Sequence, residues 1–366
     1  MISHPKDRIT QTQATIVVAN TMLATGILTL PRRVLDAAGT ADAWISLLLG
    51  GLISLFAGYM ITKVSLLFPE YTFYQYSQAL TGKFIGTILN VLLIVYCIFV
   101  CGYVVRILGE VIHVFVLEKT PIEVVIIVFM SVATYLTVGG INPIARLCEL
   151  FTLPIVLILF LTLTLSFSHF ELDNLRPLLS EGFTPVWEGV KNTAFSFTGF
   201  EIMFIVTAFM TEPNKAVRST ITAISTIIVL YISVVVVAIG IFTVEELKTL
   251  TWPTMTLAKD IEFPGAFFER FDSFLVIVWI MAIYTTFVPY HYAASLGLGQ
   301  LFQKNMYYFV FGVLPAIYII AMYPKDLNAT FKLGEFMGYL AIFFTMIIPI
   351  FLWLVAKARR GNHEKN

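Results

Sequence analysis

One carboxylate interrupts a long uncharged stretch: Glu201, which closes the run Ala194-Phe195-Ser196-Phe197-Thr198-Gly199-Phe200-Glu201. A carboxylate in the middle of an apolar span costs about 2.5–3.5 kcal/mol on insertion scales, so it must face an interior and hold a partner or a proton. Three readings stay open for it: counter-charge to a ligand ammonium, proton acceptor, or structural hydrogen bond between helices. The Thr198-Gly199 pair before it has a counterpart, Thr25-Gly26, inside Ala19-Asn20-Thr21-Met22-Leu23-Ala24-Thr25-Gly26-Ile27-Leu28. Glycine loosens a helical backbone, and threonine hydroxyls bond the carbonyls that unwinding strands. Bare amides at the start of a half-helix attract an anion, and bare carbonyls at the end of another attract an ammonium or a metal cation. Gly26, Ile27 and Leu28 are expected to offer amides, and Thr198 and Gly199 to line the opposite wall, which makes a site for a small zwitterion. The competing reading is close helix packing, the role expected of Gly50-Gly51.

Three further clusters carry polar groups in apolar surroundings. Tyr284-Thr285-Thr286 precedes Pro289-Tyr290-His291, and Pro289 should kink its helix and free carbonyls beside the threonines. The hydroxyls of Thr285 and Thr286 are then placed to meet a ligand or ion held by the first helix. His291 reads as a proton or charge partner or as a satisfied packing residue. Arg106, Glu110 and His113 share one helix face, and Arg106 with Glu110 is expected to form a structural ion pair. Glu110-x-x-His113 matches one half of a di-iron motif, but the second half is absent, so no metal is expected. Cys97 and Cys101 sit one turn apart as small hydrophobes, and Cys101 is a candidate for a side-chain subsite. Phosphate loops, zinc patterns and nucleophile elbows do not occur, and an enzyme is the least favoured class.

Long helices must position these groups. Of 366 residues 58% are hydrophobic and only 13% are Asp, Glu, Lys or Arg, far from the balance of a soluble domain. The 23 basic and 23 acidic residues cancel, which gives no footprint for nucleic acid. Cys97, Cys101 and Cys148 all lie in apolar stretches and make no disulfide framework. Nine stretches of at least 20 residues lack charge: Ile9–Pro31, Ala43–Thr62, Phe84–Val105, Val124–Ala145, Leu150–Phe170, Ser219–Val244, Ser273–Gln303, Asn305–Pro324 and Phe336–Ala356. Asn192–Thr211, with Glu201 inside, is a tenth, so ten transmembrane helices are expected. Continuous rather than alternating hydrophobicity excludes a β-barrel. Thr10 and Gln13 match a capping box that starts the first span, which is expected to be retained rather than cleaved.

Ten spans divide into an inverted repeat of five plus five, residues 9–170 and 187–357, within a single transmembrane domain over 1–366. Both termini are placed in the cytoplasm, which puts 12 of the 23 Lys and Arg residues inside. The long connections Ser168–Lys191 and Glu245–Asp272 then lie outside, each expected to hold a short interfacial helix.

Beyond these physical signals, the sequence resembles the B subunits of bacterial spore germinant receptors, within the amino acid/polyamine/organocation transporter superfamily. The matching residues are Asn20-Thr21-Met22 through Leu30-Pro31-Arg32, Arg106-Ile107-Leu108-Gly109-Glu110, Gly199-Phe200-Glu201, Thr251-Trp252-Pro253-Thr254, Glu269-Arg270-Phe271-Asp272 and Met322-Tyr323-Pro324-Lys325-Asp326. The resemblance covers Ile9 to Ala356. It implies an all-α LeuT-like fold with the first and sixth helices broken, and residence in the spore inner membrane. It implies assembly with an A-subunit membrane protein and a C-subunit lipoprotein, and no cofactor. It also implies a role in sensing a nutrient, often an amino acid. Its expected pocket falls on Thr25, Gly26, Ile27, Leu28, Phe197, Thr198, Gly199, Thr286 and Tyr290, with Cys101 a weaker member. Leu150–Phe170 lacks the lysine that proton-coupled relatives use, which favours a receptor over a pump. A secondary amino-acid transporter using the same site is the alternative, and a structural or channel-forming subunit with a vestigial pocket is the third reading.

Overall fold

The computed structural model describes residues 7–259, 261 and 271–363, with side chains described except at 24, 25, 191, 192, 194, 195, 272 and 360–363. Its first helix, α1 (Gln11–Ala38), begins at the expected capping box. The Thr10 hydroxyl accepts from the Gln13 amide at 3.2 Å, and the Gln13 carboxamide oxygen accepts from the Thr10 amide at 3.0 Å. The two halves of α1, Gln11–Leu23 and Gly26–Ala38, meet at an angle of 54°. Pro31 lies inside the second half. At the foot of α1, Ile9 forms a parallel bridge with Met210: its amide donates to the Phe209 carbonyl at 2.8 Å, and its carbonyl accepts from the Thr211 amide at 2.9 Å.

The chain continues through α2 (Ala43–Ser65), α3 (Phe73–Thr81), α4 (Lys83–Phe115), α5 (Ile122–Val138) and α6 (Ile141–Ser166). Two boundaries differ from expectation. The apolar stretch Val124–Ala145 is not one helix, because Gly140, at φ 88°, turns the chain between α5 and α6. The amphipathic α3, opened by a capping box of Thr72 and Gln75, is too short and too polar to register as a span. The connection 167–183 holds only two short 3₁₀ turns, and α7 (Thr184–Ser196) follows.

After α7 the helical path breaks at residues 197–199 and resumes as short turns through Phe200–Phe209, among them α8 (Met203–Val206). Next come α9 (Ala216–Thr249), cornered at Thr243, and α10 (Pro253–Lys259) in the expected outer connection. Residues 260 and 262–270, with the Glu269-Arg270 part of the family motif, lie outside the described residues. Then come α11 (Phe271–Phe302, containing Pro289), α12 (Met306–Gly312), α13 (Leu314–Met322), α14 (Leu327–Ile342) and, after a π-helical turn, α15 (Ile348–His363).

Among the described residues, six helices are long and apolar enough to cross a bilayer, and the bent α1 makes a seventh candidate. The remaining expected spans correspond to shorter apolar helices, Ile122–Val138, Phe200–Phe209 and Met306–Met322. Leu150, Leu153, Leu157 and Phe160 of α6 are exposed, an outward apolar face suited to lipid tails rather than water. The centre is built from α1, which packs against α6, α7, α9 and α11, with α4 against α11. Close approach of α2 to α9 uses glycine: a Cβ on Gly51 would meet Ile228, and one on Gly58 would meet Ile224 and Thr220.

Candidate functional site

The break after α7 and the bend of α1 face each other. Gly199 adopts φ 126°, and a Cβ there would sit 2.7 Å from the backbone of Thr21 and Met22. Only glycine satisfies both the backbone angle and the approach. Around this contact, hydroxyls from neighbouring elements reach the carbonyls of α1. Thr286 donates to the Asn20 carbonyl at 2.9 Å, Tyr231 to Met22 at 2.6 Å and Thr254 to Ile27 at 2.6 Å. Asn20 itself spans α6 and α11, donating to Thr152 at 2.6 Å and accepting from Thr285 at 3.2 Å.

Glu201 lies just beyond the turn and is buried. Its Oε2 accepts from the Gly199 amide at 2.8 Å, and its Oε1 accepts from the Tyr96 hydroxyl at 2.6 Å and from the Tyr290 hydroxyl. Three donors thus converge on its two oxygens. One side chain thereby ties α4, α11 and the start of the resumed helix together.

A cavity of about 30 Å³ lies against this junction, lined by Thr21, Met22, Tyr96, Val100, Tyr103, Val104, Ser196, Thr198, Thr286, Tyr290 and Met337. It holds a water molecule or two rather than a nutrient. Among the described residues, the hydroxyl of Ser196 is the one buried side-chain polar atom with no hydrogen-bond partner. At one end the Arg33 guanidinium donates to the Tyr103 hydroxyl at 2.7 Å and stacks over Phe331, itself in edge contact with Trp252.

Of the residues singled out in the sequence, Thr198, Thr286 and Tyr290 line this cavity. Glu201 stands behind its tyrosines. Ile27 and Leu28 instead line a separate, wholly apolar hollow of about 10 Å³ with Trp279 and Leu275. Gly26 and Phe197 pack on Tyr231. Cys101 points its thiol at the Phe287 carbonyl, 3.7 Å away. The side chain of Thr25 lies outside the described residues. His291 bridges α5 and α12, with Nδ1 3.1 Å from the Thr137 hydroxyl and Nε2 3.0 Å from the Val310 carbonyl, and it does not line the cavity. Arg106 binds Glu110 at 2.7 Å and donates to the Ala321 carbonyl at the end of α13, while His113 turns to Thr120. Tyr96, Tyr103, Ser196 and Met337 were not anticipated as lining residues. Tyr96 and Tyr103 fall one turn on either side of Val100 on an apolar helix, where spacing alone does not reveal which face meets a void.

Long helices with outward apolar faces, a broken path at 197–199 and a small hollow with hydroxyls in its lining beside it define a multi-pass membrane protein of transporter-like architecture. Solved structures agree on the fold. The chain superposes on MhsT in complex with L-phenylalanine with TM-score 0.61 at 9% identity, covering 95% of this chain and 98% of that one. It superposes on a manganese transporter of Eremococcus coleocola with TM-score 0.64 at 10% identity, covering 93% and 77%. In sequence, residues 8–330 match the family model described as spore germination protein. The chain belongs to that family, as the resemblance to germinant-receptor B subunits anticipated. Among its relatives in Bacillus subtilis (strain 168), spore germination protein YndE is 42% identical over 361 residues, 98% of this chain and 99% of that protein. Spore germination protein A2 is 34% identical, covering 95% of each.

Proposed function

We propose that the chain is the nutrient-sensing subunit of a spore germinant receptor, and that its ligand is of the amino-acid class. The ligand occupies an expanded form of the cavity between α1, the 196–199 turn, α4, α11 and α14. The observation that carries this reading is the unpartnered Ser196 hydroxyl in a closed hollow at the junction of two interrupted helical paths. A buried polar atom left without a partner costs stability unless something else engages it. The solved neighbour that holds L-phenylalanine supports the ligand class. In this reading the protein has ten spans in two inverted repeats of five, with the first and sixth broken. It resides in the spore inner membrane with cytoplasmic termini and signals to an A subunit and a C-subunit lipoprotein.

Because the cavity is about 30 Å³, binding must select a more open state. A ligand shifts that equilibrium only by its differential affinity, and a hundredfold preference supplies about 2.7 kcal/mol. The test is a thermal-stability screen of amino acids on the purified full chain, since a ligand that favours the folded form raises the melting temperature by mass action. At least one amino acid should raise it, and Val100→Phe, which fills the hollow, should remove the effect. Stabilisation that persists in Val100→Phe would place the ligand elsewhere. The second reading, a secondary transporter, is favoured by the transporter fold itself. Accumulation or counterflow of a labelled amino acid in liposomes separates the two.

A further inference from the structure

We infer that Glu201 is a positioning residue that fixes the hydrogen-bond polarity of the cavity and commits it to an ammonium-bearing ligand. The inference rests on the cavity being the ligand site. A hydroxyl has one proton to donate and two lone pairs. Tyr96 and Tyr290 both line the hollow, and both spend their proton on the same Glu201 oxygen. Thr286 spends its proton on the Asn20 carbonyl, and Thr21 spends its own on carbonyls of α1 or on Gly199. What these four groups have left for a guest is lone pairs.

These four groups accept hydrogen bonds from a guest and do not give them, and the Glu201 carboxyl group lies one hydroxyl behind Tyr96 and Tyr290. Among the described residues a cation, the Arg33 guanidinium, reaches the hollow through Tyr103, to whose hydroxyl it donates. A zwitterion is therefore oriented with its ammonium toward Tyr96 and Tyr290 and its carboxylate toward Tyr103. An α-hydroxy acid with the same side chain brings one donor proton where the ammonium brings three, and no positive charge.

The Gly199 amide makes the role of Glu201 testable, because it can only donate. In Glu201→Gln the carboxamide must turn its oxygen to Gly199 and its NH₂ to the tyrosines. Both tyrosine protons are then released toward the cavity, and the wall changes from acceptor to donor.

The experiment uses the full chain in nanodiscs. Melting temperature is titrated with L-alanine against L-lactate, L-valine against (S)-2-hydroxyisovalerate, and L-phenylalanine against L-phenyllactate. Wild type should bind at least one amino acid about tenfold more tightly than its hydroxy acid, the scale of one charge-assisted hydrogen bond. In Glu201→Gln that ratio should collapse toward one or invert. Tyr290→Phe, which removes one acceptor and keeps the Glu201–Gly199 bond, supplies an independent reading should Glu201→Gln fail to fold, and should lower the ratio severalfold. An undiminished ratio in either folded variant overturns the role of Glu201 while leaving the cavity as the site. Absence of any stabilisation by the three amino acids in wild type overturns the inference together with the site it rests on.

Discussion

Thr254 and Ile27 are joined by a hydrogen bond that Pro31 makes necessary. Proline has no amide proton, so the carbonyl four residues before Pro31, that of Ile27, loses its helical donor. The Thr254 hydroxyl of α10 replaces it at 2.6 Å. Two stretches of the family motif, Leu30-Pro31-Arg32 and Thr251-Trp252-Pro253-Thr254, are thus the two sides of one contact.

Thr254→Val should therefore lower stability by about 1–2 kcal/mol, the cost of leaving a buried carbonyl unpaired. Thr254→Ser should retain most of it. Restoring the amide with Pro31→Ala should make the threonine redundant. The double variant should thus be markedly less destabilised than the sum of the singles in a double-mutant cycle. Strict additivity would mean the two positions are not coupled through Ile27.

Gly199→Ala should be severe. It forces a left-handed backbone angle on alanine and drives a methyl group 2.7 Å from Thr21 and Met22. Gly39→Ala is the matched control: its φ is 73° but nothing lies within 4 Å, so its cost should stay near 1 kcal/mol. Melting curves of the two variants side by side separate backbone strain from the close approach.

Arg106 and Glu110 are both largely buried, and Arg106 also serves the Ala321 carbonyl. Removing one charge by Glu110→Gln should cost about 3–5 kcal/mol, because it leaves the guanidinium uncompensated. Replacing both, Arg106→Met with Glu110→Leu, should recover much of that loss. Retention of ligand-induced stabilisation in the double variant would separate this pair from the site.

Ser196→Ala should leave unliganded stability unchanged within about 0.5 kcal/mol or raise it, because the hydroxyl it removes has no partner. The same variant should weaken ligand-induced stabilisation. A variant that is destabilised yet binds normally would assign the hydroxyl a structural role instead.

The helical membrane architecture was legible because charge-free runs of 20 residues leave no other reading, and Glu201 announced itself by the same contrast. The break at 197–199 was signalled by Thr198-Gly199. The cavity lining was less legible for a geometric reason. Thr21 and Ile27 lie on the same helix yet line different hollows, and Leu23, which precedes the 54° bend, already shares the hollow of Ile27; which face meets which void is set by the elements packed around α1, not by α1 alone. Tyr96 and Tyr103 read as ordinary aromatic filler in α4 until the partners Glu201 and Arg33 arrive from distant segments. The boundary at Gly140 was signalled by Gly139-Gly140 and Asn142-Pro143, turn dipeptides that a count of uncharged residues passes over.

The pairing of Ile9 with residues 209–211 has a mechanical consequence. The base of α1 and the far end of the resumed segment after the 197–199 break are laced together main chain to main chain, so among single substitutions it is proline at Ile9 or Thr211, which removes a donating amide, that severs a bond directly. Whatever tilts the lower part of α1 must drag its counterpart along or unzip both bonds. Residues 7–10 are therefore where a crosslink or a fused tag would act on both broken segments at once without touching the hollow.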